Sequence, residues 1–143
     1  LKPEKRGEDE VVPLQALLDK NLGWNGVEAL IIKTGNYPEG HDFSGTNAPY
    51  FEPELLAYIR DKGVQHVLVD TPSVDREEDE GKLLSHHAFW NYPEAPREGC
   101  TISELLRIPD STDEGLYLLN IQVASFANDA APCRPVIYRL ETQ

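Results

Sequence analysis

The sequence predicts a mixed α/β domain, a sheet with flanking helices, on three observations. Two branched apolar runs, residues 27–34 and 64–69, are too short for typical helices and read as buried strands. Between them, Pro53 and Glu54 place a proline and an acid in the first turn of a helix. Leu55, Leu56 and Ile59 form its apolar face and Gly63 stops it. Strand, helix and strand at this spacing make a βαβ unit, whose two strands run parallel. Further on, residues 115–124 alternate in their second half, and residues 135–140 follow turn chemistry at Asn128-Asp129-Ala130-Ala131-Pro132, which adds two more strands.

The remaining segments take their places around these. Residues 1–12 are charged and contain Pro3 and Gly7, which predicts a flexible lead-in to a single domain over 13–143. Pro13 opens a short helix with Leu14, Leu17 and Leu18 on one face, ended by Asn21, Gly23, Asn25 and Gly26. Residues 35–52 form a long connection with three glycines, two prolines and the aromatics Tyr37, Phe43, Tyr50 and Phe51. Loops of that length serve either as pocket walls or as Ω-type loops packed by their own side chains. An acidic surface loop over 72–81 leads into a helix over 82–90, and a proline-containing loop over 91–99 follows. Ser103-Glu104-Leu105-Leu106 reads as a short helical turn or a strand end.

Composition excludes several functions. With 143 residues and 40% hydrophobic content, the chain can bury a core without disulfides or metal staples. A formal charge of −12, with 13 scattered Lys and Arg, repels a phosphate backbone and argues against nucleic acid. No apolar run approaches the roughly 18 residues that span a bilayer. The first seven residues lack the apolar centre of a signal peptide, so no membrane association is expected. Cys100 and Cys133 have no CxxC spacing and are expected as reduced thiols in the cytoplasm. G-x-G-x-x-G, Walker-type and G-x-S-x-G patterns are absent from the sequence. The chain opens on Leu1 and contains no Met, which suggests a processed or partial polypeptide.

The chemistry is expected around His86 and His87. Adjacent residues on a helix point about 100° apart and do not easily share one metal, so the pair reads either as one ligand beside a supporting or pocket histidine, or as satisfied core or surface histidines with no metal role. Glu104 follows after a loop that can fold it back, and an imidazole with a carboxylate is a common partial ligand set for zinc or manganese. Two ligands do not hold a catalytic ion. His41, Asp42 and Asp70, the last at a strand's carboxyl end, are the further candidates within the chain.

The order of motifs resembles one family. Residues 67–75 (Val-Leu-Val-Asp-Thr-Pro-Ser-Val-Asp), Ser85-His86-His87-Ala88, Ile102-Ser103-Glu104-Leu105-Leu106 and the segment from Asn128 to Val136 look like the carboxyl-terminal half of the cyclase family of metal-dependent hydrolases, whose best-known members are bacterial kynurenine formamidases. The resemblance covers roughly residues 27–141. It implies a swivelling β/β/α-type fold, present in part, a homo-oligomer, and hydrolysis of amide-like bonds by a metal-activated water. It also implies that His86 and Glu104 are metal ligands. The family's His-x-Gly-Thr-His-x-Asp-x-Pro-x-His motif, which supplies most ligands and the acid/base histidine, has no counterpart here. Ser44-Gly45-Thr46-Asn47-Ala48-Pro49 is only superficially similar, with Phe43 and Asn47 where its first two histidines would stand.

The reading is therefore the carboxyl-terminal part of a metal-dependent hydrolase of a formamide, amide or lactam-like small molecule. Its zinc or manganese site is incomplete in this chain, which is expected to be inactive without its missing amino-terminal half. His87 and Trp90 are expected to line the substrate pocket. The alternative is a non-catalytic α/β binding or assembly module that keeps the family scaffold.

Overall fold

The computed structural model describes residues 1–140, and the chain divides into two compact units between Ile108 and Pro109. The single domain expected over 13–143 is thus two units, and residues 141–143 of that span lie outside the described residues.

Residues 1–12 are not a lead-in. They form β1 (Glu4–Arg6) and β2 (Asp9–Val12), paired antiparallel with Glu4 opposite Val11 and Arg6 opposite Asp9. Gly7, at φ +70°, supplies the left-handed residue that the tight turn needs. Burial of Val11 and Val12 gives the pair its reason to form, and the Leu1 amino group donates to the Lys33 carbonyl at 2.6 Å. The short helix α1 (Leu14–Leu18) follows as expected, buries Leu17, and is anchored by its first N–H, which donates to the Glu52 carboxylate at 2.7 Å.

The βαβ unit is present. Strand β3 (Ala29–Ile32) and the two-residue β4 (Tyr50–Phe51), which pairs parallel with β2, are followed by α2 (Pro53–Asp61) and β5 (His66–Val69). β3 and β5 run parallel from Ala29 opposite His66 to Ile32 opposite Val69. Helix α3 (Leu84–Trp90) then leads to β6 (Thr101–Ser103), which pairs parallel with β5, so the segment ending at Ser103 is a strand end and not a helical turn. The first unit therefore carries a three-stranded parallel sheet in the order β3-β5-β6.

Its core joins Val12, Leu17, Ile32, Phe51, Leu55, Leu56, Ile59, Val67, Val69 and Phe89. Each such side chain contributes about 1.5–3 kcal/mol by leaving water. The apolar face of α2 read from the sequence is the face buried here, which fixes the sheet against the helices and holds its carboxyl edge in place.

The second unit is an antiparallel ladder of β7 (Tyr117–Val123) and β8 (Cys133–Arg139), with Leu119 opposite Ile137 and Val123 opposite Cys133. Arg139 pairs with Asp113 at 3.2 Å across the start of the ladder. Both strands were expected, and β8 begins earlier than residue 135 because Val123 and Gln122 extend the pairing to Cys133 and Arg134.

Candidate metal centre

Three parallel strands end on one edge, and the segments leaving them build the site. After β5, Asp70 is buried and fully engaged. Its two oxygens accept the Thr34 N–H at 2.9 Å each, the Thr34 hydroxyl at 2.8 Å and the Gly35 N–H at 3.2 Å. This carboxylate ties the end of β3 to the end of β5, so the structure gives the expected metal candidate a structural task instead. The chain continues through Thr71 to Asp75, held on one side by Phe51 N–H on the Val74 carbonyl at 3.0 Å and on the other by Leu105 N–H on the Thr71 carbonyl at 2.7 Å.

Asp75 is buried beneath the start of α3. One oxygen accepts the Ser85 N–H at 2.6 Å, and the other accepts the His86 N–H at 3.2 Å and lies 2.7 Å from His86 Nδ1. Leu83, at φ +47°, offers no side-chain cap to this helix, so a carboxylate from a different loop satisfies its first N–H groups. Ser85 adds a second anchor by donating its hydroxyl to the Phe51 carbonyl at 2.8 Å.

The ring so fixed turns Nε2 toward Glu104 Oε1, 3.4 Å away. Glu104 directly follows β6 and is steadied by the Val74 N–H, which donates to the same oxygen at 2.9 Å. Leu105, in the left-handed region at φ +57°, redirects the chain immediately after it. Both side chains keep a path to solvent, with 13% of His86 and 28% of Glu104 exposed.

Burial opposes a charge on His86, but hydrogen bonds to Asp75 and Glu104 and their negative charges outweigh it and raise the pKa from 6.5 to about 9. Burial likewise pushes Asp75 upward, yet the His86 ring and the two backbone N–H groups hold it below the ordinary carboxylate value.

One imidazole nitrogen and one carboxylate oxygen are donor types that zinc and manganese take. A tetrahedral ion bound at about 2.0–2.2 Å sets neighbouring donor atoms roughly 3.3–3.5 Å apart, whereas a charge-assisted hydrogen bond closes to about 2.7–2.9 Å. The 3.4 Å between Nε2 and Oε1 is long for a charge-assisted hydrogen bond and is compatible with two donors on one ion. Among the described residues, no group of three or more His, Cys, Asp or Glu side chains forms a metal cage.

Of the other expected residues, His41 and Asp42 are engaged within their own loop, and Trp90 flanks the site. His41 packs on Tyr37 and Phe43 with ring centroids 5.2 and 4.4 Å away, and Asp42 accepts the Ser44 N–H at 2.9 Å. These contacts pack residues 37–44 on their own side chains, whereas Asn47 and Tyr50 are tied to Asp9 and the expected connection over 35–52 ends early, in β4. Trp90 lies against His86, with centroids 5.1 Å apart, and its indole N–H donates to the Cys100 carbonyl at 3.1 Å. His87 packs on Tyr92. A cavity of about 320 Å³ opens beside the start of α3, lined by Tyr50, Asp75, Arg76, Lys82, Leu84 and Ser85 among others, and neither His87 nor Trp90 lines it.

Asp75 is the residue that sequence reasoning overlooked. The available signal was the start of α3, where Lys82 and Leu83 stand in place of a Ser, Thr, Asp or Asn and leave a cap to be found at a distance.

Among the described residues no helix is long and apolar enough to cross a membrane. The chain is similar to the kynurenine formamidase of Bacillus mycoides, 27% identical over 118 residues, which cover 82% of this chain and 53% of that protein. The kynurenine formamidase of a Bacillus cereus strain is 26% identical over the same shares. The chain thus spans about half the length of the curated relatives it matches. In fold it resembles a structure described as a predicted metal-dependent hydrolase from Bacillus stearothermophilus, with a TM-score of 0.62 at 16% identity over 96% of this chain and 60% of the other. A second structure, described as a potential metal-dependent hydrolase with cyclase activity, gives a TM-score of 0.55 at 17% identity over 94% and 65%. The family model described as "Putative cyclase" matches residues 4–76, which hold the sheet strands β3 and β5 together with Asp75, while the His86 and Glu104 pairing stands on geometry. With half of its length matched by that model, the chain belongs to the cyclase family.

Proposed function

We propose that this chain contributes one side of the metal centre of a hydrolase acting on an amide-like carbonyl: a formamide, an amide or a lactam. The carrying observation is the 3.4 Å approach of His86 Nε2 and Glu104 Oε1. These two residues would hold a zinc or manganese ion, with the remaining ligands and the proton-shuttling base supplied from the amino-terminal half of the same protein. A divalent ion there supplies activation of water and polarisation of the carbonyl. The chain's own part is to orient the imidazole, keep the carboxylate beside it on the Val74 N–H, and cover one flank with the Trp90 ring. The proposal includes a homo-oligomer in the cytoplasm and a small-molecule substrate.

The test is metal analysis and amide hydrolysis on the protein isolated at its native length. His86→Ala and Glu104→Ala should each strip the metal and abolish turnover; full occupancy with unchanged turnover in either variant refutes the assignment. A second reading, the non-catalytic module, is favoured by the engagement of His41, Asp42 and Asp70 in structural contacts. A native-length protein that binds metal through His86 and hydrolyses no amide would support it.

A further inference from the structure

We infer that Asp75 is the positioning residue of this centre, a single buried carboxylate that caps α3 and at the same time holds the His86 proton on Nδ1, so that Nε2 presents its lone pair toward Glu104. The purpose of this orientation rests on the metal reading above; the orientation itself does not.

Donors and acceptors around Asp75 fix where the proton sits. The Ser85 and His86 backbone N–H groups can only donate, and they reach the two Asp75 oxygens at 2.6 and 3.2 Å. Asp75 is therefore an acceptor at both oxygens, as an ionised carboxylate must be. His86 Nδ1 lies 2.7 Å from one of them, so this nitrogen has to carry the hydrogen. In the neutral ring that leaves Nε2 unprotonated, and Nε2 is the atom turned to Glu104. A cap alone would need only the two backbone contacts, which Ser or Asn makes as well. The third contact is what a carboxylate adds, and a carboxylate behind a ligating imidazole is the common means of fixing tautomer and ring angle at metal sites.

Asp75→Asn tests the contact to the ring. The amide oxygen can keep the Ser85 N–H, while the NH2 group takes the place of the oxygen that faces both the His86 N–H and Nδ1; one capping contact is lost, and the donor facing Nδ1 drives the ring hydrogen to Nε2. The experiment is long-range ¹H–¹⁵N correlation on the metal-free, ¹⁵N-labelled 143-residue chain at alkaline pH, where the ring is neutral. The wild-type His86 should show the Nδ1–H tautomer and Asp75→Asn the Nε2–H tautomer. A wild-type ring with its hydrogen on Nε2 overturns the inference, and this spectrum decides even where the variant does not fold.

Zinc titration of the native-length protein against a chromophoric chelator is the second readout. Asp75→Asn should bind Zn²⁺ about 10–100-fold more weakly. Ser85→Ala, which removes the other anchor of the same helix start, should leave the affinity within about twofold. Equal losses in both variants mean that Asp75 acts only through the helix and overturn the positioning role. Absence of zinc binding by the native-length wild-type protein counts against the metal reading, and the tautomer then decides the role of Asp75 separately.

Discussion

Replacing Asp70 separates the scaffold from the site. Its carboxylate is buried and gathers the Thr34 N–H, the Thr34 hydroxyl and the Gly35 N–H at 2.8–3.2 Å, joining β3 to β5 where the sheet's edge is set. Asp70→Ala leaves three donors without this acceptor. Hydrogen bonds to a charged group contribute about 1.5–3 kcal/mol each, and a stranded buried donor costs about 1–3 kcal/mol. The Asp70 ion itself no longer has to be desolvated, which offsets part of the sum, and a net loss of about 3–4 kcal/mol is expected. Asp70→Asn keeps one acceptor oxygen and should lose about 1–2 kcal/mol. Urea unfolding monitored by Trp fluorescence reads both as shifts in midpoint at constant slope. A loss under about 1 kcal/mol for Asp70→Ala would refute the account of this carboxylate as the clasp between strands. Loss of metal from a variant that remains fully stable would refute it too, and would return Asp70 to the ligand set.

The same contacts set three further outcomes. In the presence of a chelator, stability should be highest below about pH 6.5 and decline as pH rises toward 9, because a histidine raised in the folded state stabilises only while protonated. The full shift corresponds to about 3 kcal/mol, which solvent at the open side of the pair reduces to about 1–2 kcal/mol, and His86→Gln should flatten the decline; a stability that rises across this range contradicts the geometry. Zinc binding at neutral pH should release a proton from His86, visible as a dependence of the calorimetric heat on buffer ionisation enthalpy, and a buffer-independent heat would count against Nε2 as the ligand atom. Phe89→Ala, which empties a fully buried position on α3, should cost about 3–5 kcal/mol by urea unfolding, with a loss under about 1 kcal/mol showing that α3 is not packed as described.

The βαβ unit was legible because its signals are local: Pro53 and Gly63 bound the helix, and branched runs mark the strands on either side. The hairpin over residues 1–12 was not, since Glu4, Lys5 and Arg6 are exposed and carry no apolar alternation. Only the pairing of Val11 and Val12 with Tyr50 and Phe51 gives that segment a buried side. A three-residue strand such as β6 has no periodicity to detect, and its register, Leu68 opposite Ser103, is what carries Glu104 to the edge of the sheet. His86 and Glu104 were named from residue types and resemblance, but their meeting depends on that register and on α3 being pinned by Asp75. His41 and Asp42 looked like ligands because a sequence shows donors without their occupants. In the fold, one stacks on Tyr37 and meets Phe43 edge-on, and the other closes a turn.

The central claim is that His86 and Glu104 share one ion. Anomalous diffraction at the zinc edge, from crystals of the native-length protein loaded with Zn²⁺, tests it most directly. A peak within bonding distance of both His86 Nε2 and a Glu104 carboxylate oxygen is the predicted result. A zinc ion bound without either residue, with the two side chains still facing each other across an empty gap, would contradict it.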